Sequence, residues 1–403
     1  MKKTLLVLFA LVAMSLSNVW AYDFSAVAPS GQTLYYNIVR GKAQVTYKHA
    51  SAPSYADLSG ALVIPSSVEH NGTTYPVAAI ESYAFNGCNG LAEVTLPASV
   101  TAIGSYAFPN CSNLTSVILP ATLTAIEAGT FSGCSSLASM AFPASLTAIG
   151  ERAFQNCSSL AGAALPASVT TIGEGAFNGC NGLAEVTLPA SVTTIGEGAF
   201  SGCGSLTEVT IPASVTLIRD RVFASCVGLA SVTIPASVTY IGEGAFASCN
   251  SLASVTIPAS VTFICNGAFQ YCSSLASIYS LAATPPTIGG SRAFEGVDKT
   301  IPLYVPAMSA PLYATASVWS DFNTIVGIAT QGIDEVDGMS VESVAGAIVV
   351  GGAAGQSVTI FDIAGRVIVR EQAVEGKTYT MPRNGVYLVK VGNHPAEKVV
   401  VVR

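Results

Sequence analysis

The stretch IPASVTYIGEGAFASCNSL, residues 234–252, decides the fold because its pattern recurs along the chain at a fixed interval. Nine of the ten cysteines stand 23 residues apart, from Cys88 to Cys272. Phenylalanine keeps the same step of 23 residues from Phe85 to Phe269. A period in the twenties, shared by several residue types, is typical of a solenoid of stacked repeats. We therefore predict a mainly β solenoid of 23-residue units.

One unit, residues 183–203, shows how the repeat is expected to fold. Residues 185–187 alternate as a strand, and Pro189 ends that strand because proline has no N–H for the ladder. A second extended piece at 191–195 and a tight turn at 198–200 follow. One unit cannot bury its inward Leu, Val, Ile, Phe and Cys side chains alone. Stacking of the units is expected to bury them as continuous columns.

The cysteine column allows two chemical states. Stacked rungs would place neighbouring cysteines near the separation that a disulfide tolerates, and an exported protein permits disulfides. Their fixed register with Phe and Leu favours buried, unbonded thiols, because free cysteine packs as a small apolar side chain. A metal site is disfavoured, since no histidine lies between His70 and His394. Cys265 stands outside the column, where other units carry Gly or Arg.

The ends of the solenoid are expected to be capped, because the terminal rungs must be hidden from water. Residues 22–79 are interpreted as an N-terminal β cap that contains a hairpin around Gly41. Residues 280–332 are interpreted as a degenerate repeat and a C-terminal cap. Within it we predict a last strand at 303–306 and a capping helix over 308–321.

Composition and charge restrict the function. The chain of 403 residues is 50% apolar, 10% charged and carries a formal charge of −7, which argues against nucleic acid and anionic membranes. Residues 1–21 combine Lys2 and Lys3 with the apolar run 5–14, and are predicted to be a secretory signal peptide. No later apolar run reaches the ~20 residues of a spanning helix, so we expect no transmembrane span.

The sequence carries none of the common catalytic motifs. The sequence contains no nucleophile elbow, phosphate loop or metalloprotease motif. Acidic side chains recur at one position of the turn, and we interpret them as a solvated stripe because stacked rungs offer no cleft. The sequence therefore predicts no enzyme, no catalytic residue, no metal and no cofactor. The recurring acidic residues are Glu151, Glu174, Glu197, Asp220 and Glu243.

Large apolar side chains interrupt an outward column of small ones. The column holds Ala or Thr in the earlier rungs and then Leu217, Tyr240 and Phe263, while Tyr279 replaces a threonine of the strand face. Exposed aromatic residues concentrate binding energy at interfaces. These four residues are the predicted ligand-contact surface. The alternative is that the C-terminal cap covers them.

The repeat string at 234–252 resembles the BspA-type leucine-rich repeat, a 23-residue class found in bacterial surface proteins. The resemblance covers roughly nine repeats over 80–279. It implies a surface protein whose partners are extracellular proteins, of the host matrix or plasma class, or the surfaces of neighbouring cells.

A separate β-sandwich domain is predicted over 333–403, after the acidic stretch 334–338. The segments 362–366, 384–391 and 398–402 resemble the C-terminal sorting domain of the type IX secretion system. This resemblance implies contact with the secretion machinery and transit across the outer membrane. The sequence thus favours an exported, cell-surface or extracellular adhesion solenoid that binds proteins. The alternative is a glycan-binding or structural envelope protein.

Overall fold

The computed structural model describes residues 22–48, 55, 57–328, 340–344, 347–351, 357–362, 367–372, 377–382, 385–391 and 397–401. The predicted signal peptide at 1–21 and the acidic stretch 334–338 lie outside these residues. The repeated region is a solenoid of about 11 turns with roughly 23-residue spacing, which confirms the predicted fold class. The chain divides into two compact units between Ser158 and Ser159. None of the helices within the described ranges has the length and hydropathy to cross a membrane.

The first unit begins with a six-stranded mixed sheet and continues as short parallel strands. β1, β2 and β3 are antiparallel neighbours, β3 runs parallel to β6, and β6 runs parallel to β8. β4, β7 and β9 form a second, parallel sheet. The strands of this unit are β1 (Phe24–Val27), β2 (Thr33–Val39), β3 (Lys42–Thr46), β4 (Gly60–Val63), β5 (Ser67–His70), β6 (Thr73–Ile80), β7 (Leu91–Thr95), β8 (Ala102–Ile103), β9 (Ser116–Ile118), β10 (Ala125–Ile126) and β11 (Ala148–Ile149).

The hairpin predicted around Gly41 is confirmed. β2 and β3 pair antiparallel and are joined by Arg40 and Gly41, whose φ angles are 51° and 75°. Two consecutive residues with positive φ are typical of the two-residue turn whose twist matches that of the strands. Asn71 and Gly72 join β5 and β6 in the same conformation.

Stacked aromatic rings form the centre of the first unit. The rings of Phe85 and Phe108 lie 4.8 Å apart at an angle of 6°, and the column continues through Phe131 to Phe154. Tyr55 begins this column, because its ring stacks on Phe85 at 5.3 Å. The Tyr55 hydroxyl donates to the Thr46 carbonyl, so a polar atom at the end of the column is satisfied.

The second unit continues the same repeat with two strands per turn. The paired strands of successive turns run parallel, as in β16 with β18 and β17 with β19. Its solenoid strands are β12 (Gly162–Ala164), β13 (Thr171–Ile172), β14 (Glu185–Thr187), β15 (Thr194–Ile195), β16 (Glu208–Thr210), β17 (Leu217–Ile218), β18 (Ser231–Thr233), β19 (Tyr240–Ile241), β20 (Ser254–Ile257), β21 (Phe263–Ile264), β22 (Ser277–Ser280), β23 (Thr287–Ile288), β24 (Pro302–Pro306) and β25 (Thr324–Ile328).

Tight turns join the two-residue strand of one repeat to the longer strand of the next, as between β15 and β16. In one unit, Ala199 N–H donates to Gly196 O and Cys203 N–H donates to Phe200 O, bonds that span three residues. Gly198 and Gly202 have positive φ angles of 58° and 74°, which a 3₁₀-helix does not contain. The segment therefore forms successive turns and not a continuous 3₁₀-helix. Neighbouring repeats are also joined here by backbone hydrogen bonds.

The ladder residues of the second unit are buried as predicted. The Phe200 ring stacks on Phe177 at 5.4 Å and on Phe223 at 5.7 Å. The Cys226 thiol donates to the Phe200 carbonyl at 3.1 Å. This bond recurs at other rungs, which explains why Cys and Phe keep one register. Val186 is only half-buried, although the alternation places it inward.

Thiol titration tests the chemical state of the cysteines. Burial raises the pKa of the Cys226 and Cys272 thiols to about 12, so both stay protonated and unreactive at neutral pH. The nine ladder cysteines are buried and Cys265 is half-buried. We expect a thiol reagent to label only Cys265 in the native protein, and all ten cysteines after denaturation. Mass spectrometry that found linked cysteine pairs would contradict this prediction.

The C-terminal end of the solenoid differs from the prediction in two respects. The strand predicted as the last one is β24, but β25 follows and pairs parallel to it. The predicted capping helix over 308–321 is a 3₁₀ segment Ala307–Ser309, a single α-helical turn α1 (Ala310–Tyr313) and a 3₁₀ segment Trp319–Asp321. Val318 has a φ of 70°, which lies outside the helical region, so a continuous helix is not formed.

The C-terminal strands of the chain form two antiparallel sheets over their described residues. One sheet has the order β26, β27, β30, and the other has the order β29, β28, β31, β32. Buried side chains from both sheets pack in one cluster that includes Ile348, Val358 and Tyr387. The strands are β26 (Ser340–Val344), β27 (Ala347–Gly351), β28 (Ser357–Asp362), β29 (Val367–Gln372), β30 (Lys377–Thr380), β31 (Gly385–Val391) and β32 (Glu397–Val401).

Candidate functional site

Three of the four predicted contact residues form one column on the sheet of two-residue strands. Leu217 pairs with Tyr240, and Tyr240 pairs with Phe263, in adjacent parallel strands. Each is followed by a buried isoleucine, because consecutive residues of a strand point to opposite faces. The outward direction predicted for this column is therefore confirmed. We call Leu217, Tyr240 and Phe263 the 217–263 column.

The column decreases in exposure along the chain. Leu217 is 38% exposed and Tyr240 is 36% exposed, while Phe263 is half-buried. The rings of Tyr240 and Phe263 stack with centroids 5.8 Å apart and planes at 8°. The stacked pair holds its rings in fixed positions, so little side-chain entropy remains to be lost on binding a partner.

Cys265 contacts Tyr240, the more exposed of the two rings in the column. Its Sγ atom lies 2.8 Å from the Tyr240 hydroxyl, within hydrogen-bonding distance. This contact, together with partial burial and the nearby Asp220 and Glu243 carboxylates, raises the pKa of Tyr240 to about 12. The phenol therefore stays neutral at physiological pH. The departure of Cys265 from the cysteine register thus has a structural role, which the sequence analysis missed.

The position of the Phe263 ring requires a glycine at residue 289, in the following turn. A Cβ atom added to Gly289 would come within 2.9 Å of the Phe263 ring, so the ring lies against the open backbone of that residue. Thr287 follows Phe263 as its strand partner, and the column of large side chains ends there. The site is therefore limited to three rungs.

Acidic residues border the column. The Asp220 carboxylate accepts a hydrogen bond from the Glu243 N–H at 2.8 Å, and the Glu243 side chain is exposed. Glu197 lies 3.8 Å from Arg221 in an exposed ion pair, a contact of little energetic weight. Asp220 and Glu243 thus place negative charge beside Tyr240.

Tyr279 is not part of this surface. It is 4% exposed, lies on β22, and belongs to the sheet of longer strands. Its ring stacks on Tyr304 at 4.7 Å and packs against Ile328, because β24 and β25 continue the sheet beyond it. The prediction that Tyr279 contacts a ligand is therefore wrong, and the capping alternative applies to this residue.

The residues that the structure describes contain no group of three His, Cys, Asp or Glu side chains that could hold a metal ion. The ladder cysteines are arranged one per rung, and their thiols donate to backbone carbonyls. The chemistry available in the 217–263 column is therefore apolar contact and hydrogen bonding by a neutral phenol.

The comparison with known families agrees with this architecture. Residues 66–184 and 149–276 match the BspA type leucine-rich repeat region, in six copies. The chain belongs to the BspA-type leucine-rich repeat family. A search of curated proteins gave no match.

Solved structures of leucine-rich repeat proteins resemble the chain. One from Bacteroides ovatus is 32% identical, covers 70% of this chain and 71% of its own, and superposes with a TM-score of 0.62. The leucine-rich repeat protein of T. pallidum is 32% identical over 54% of this chain and 87% of its own, with a TM-score of 0.39. A leucine rich cell surface protein from Faecalibacterium prausnitzii is 25% identical over 75% of this chain and 94% of its own, with a TM-score of 0.39.

Proposed function

We propose that the protein is an exported, non-enzymatic scaffold that binds an extracellular protein through the 217–263 column. The observation that carries this proposal is the exposure of Leu217 and Tyr240 in a column that holds Thr171 and Thr194 in earlier rungs of the same unit. The fold does not require large apolar groups there, and exposing them lowers solubility without adding to the core. A contact with a partner accounts for them.

The charge around the column indicates which partner would fit. Asp220 and Glu243 border Tyr240, so a partner surface with an apolar centre and basic side chains would be complementary to it. Arg and aromatic residues are enriched in protein interfaces, and both fit this description. We therefore favour a protein of the host matrix or plasma class, with glycans as the alternative ligand.

A binding assay with a double variant tests the proposal. The full chain is passed over immobilised fibronectin, collagen, laminin and fibrinogen. Tyr240→Ala combined with Phe263→Thr is expected to weaken any observed binding by about tenfold or more, because central aromatic residues carry much of an interface's energy. Thr171→Ala with Thr194→Ala, at the same column positions, is the matched control and should bind as the parent does.

The melting temperature separates recognition from stability. Lost binding with an unchanged melting temperature supports the proposal. A lower melting temperature with intact binding, or the same loss of binding in the control, would overturn it.

We also propose that residues 333–403 direct export across the outer membrane, on the basis of the sorting-domain resemblance. Deleting them should leave the protein inside the outer membrane of a type IX-secreting host, as measured by cell fractionation. The intact mass of the parent protein recovered outside the cell should lack this domain. Normal arrival of the truncated chain at the cell surface would contradict the assignment.

A further inference from the structure

The first strand of the sheet β4, β7, β9 has one edge with which no described strand pairs. The N–H groups of Gly60 and Ile64 donate to carbonyls at the two ends of β7, so the even-numbered residues of β4 direct their backbone groups at that strand. Backbone groups alternate in direction along a strand. Ser59, Ala61 and Val63 therefore direct theirs at the opposite edge.

An edge of this kind is a template for pairing with another chain, and proteins commonly blunt it with charged side chains or proline. The β4 sequence GALV contains neither. The side chains of Ala61 and Val63 are exposed beside the edge. The register of β4 with β7 shifts once, between Gly60 and Ala61, and is regular from there to Val63. The composition of β4 itself thus leaves the edge open to pairing.

Two side chains from the turn between β1 and β2 bind this edge. The Ser30 Oγ atom accepts a hydrogen bond from Val63 N–H at 2.9 Å. The Gln32 Nε2 atom donates to Ser59 O at 3.1 Å and to Ala61 O at 2.9 Å. The three bonds fall on the three alternate residues that a further strand would use. The two side chains therefore occupy the place of a pairing strand.

The turn does not offer a new edge in exchange. Its backbone bonds are internal, since Ala28 N–H donates to Gln32 O at 2.7 Å and Gly31 N–H donates to Ala28 O at 2.8 Å. The φ angle of Gly31 is 91°, so the backbone reverses direction there and is not extended. A turn of this shape presents no row of backbone groups to another chain.

We propose that Ser30 and Gln32 block the β4 edge against a second copy of the chain and so keep the protein monomeric. Two copies of the same edge can pair antiparallel about a twofold axis, because each supplies both donors and acceptors. No charged side chain of β4 opposes that pairing. This role is independent of the protein-binding proposal, because its residues lie in the other unit.

Sedimentation velocity of the full chain tests the proposal. The parent is expected to sediment with the mass of one chain. Ser30→Ala combined with Gln32→Ala leaves three backbone groups unpaired, and we expect its mean mass to rise about twofold as the protein concentration is raised, because a twofold pairing closes at the dimer. Ser25→Ala with Gln44→Ala, on β1 and β3 of the same unit, is the matched control and should sediment as the parent does.

A proline separates pairing at this edge from association of a loosened fold. Val63→Pro, added to the double variant, removes the outward N–H and keeps the bonds to β7, so the mass of one chain should return. Return to that mass supports the proposal. A double variant that stays at the mass of one chain would overturn it. Association that persists with Val63→Pro, or that the parent or the control shares, would overturn it as well.

Discussion

Replacing Phe200 with alanine is expected to lower the free energy of unfolding by about 3–5 kcal/mol. The ring is fully buried and stacks on Phe177 and Phe223, so its removal leaves a cavity and breaks two aromatic contacts. Rungs contact mainly their neighbours in a solenoid, and a cavity in one rung therefore weakens the coupling between the repeats on either side.

Urea unfolding followed by circular dichroism measures this effect as a shift of the midpoint. Val227→Ala is the matched control, because Val227 lies in the next turn and is 45% exposed. That variant should stay within about 0.5 kcal/mol of the parent. An unshifted midpoint for Phe200→Ala would show that the inward assignment of the phenylalanine column is wrong.

Replacing Trp319 with alanine is expected to cost a similar amount, about 3–5 kcal/mol, at the C-terminal cap. The side chain is fully buried, packs against Phe294 and Tyr313, and its Nε1–H donates to Pro286 O at 2.9 Å. Its loss opens a cavity and leaves that carbonyl without a partner. The last rungs of the solenoid would then be exposed.

Thermal unfolding by circular dichroism compares Trp319→Ala with the parent. The sequence contains two tryptophans, Trp20 and Trp319, so in a chain that begins at Tyr22 the fluorescence of the parent reports on the cap alone. Leu312→Ala is the control, because Leu312 is 50% exposed on α1. Equal melting of the Trp319→Ala variant and the parent would contradict a capping role.

Part of the candidate site was predictable and part was not. The outward direction of Leu217, Tyr240 and Phe263 follows from the strand period and from the buried isoleucine beside each of them. Tyr279 fits the same sequence criteria and yet is buried, because Tyr304 stacks on it. Tyr304 comes from a strand beyond the regular repeats, where the 23-residue register no longer predicts which residues are neighbours.

The sequence by itself determined the repeat, the inward columns and the mainly β class of this protein. Within each unit a residue and its counterpart 23 positions later are neighbours in successive rungs, so one local pattern specifies the same contact many times. The tertiary structure alone decided which contacts form at the ends and between columns. Three such contacts are each made once, namely Tyr55 on Phe85, Trp319 on Phe294 and Tyr240 with Cys265. A contact made once leaves no period in the sequence, and it depends on how the chain packs outside the repeat.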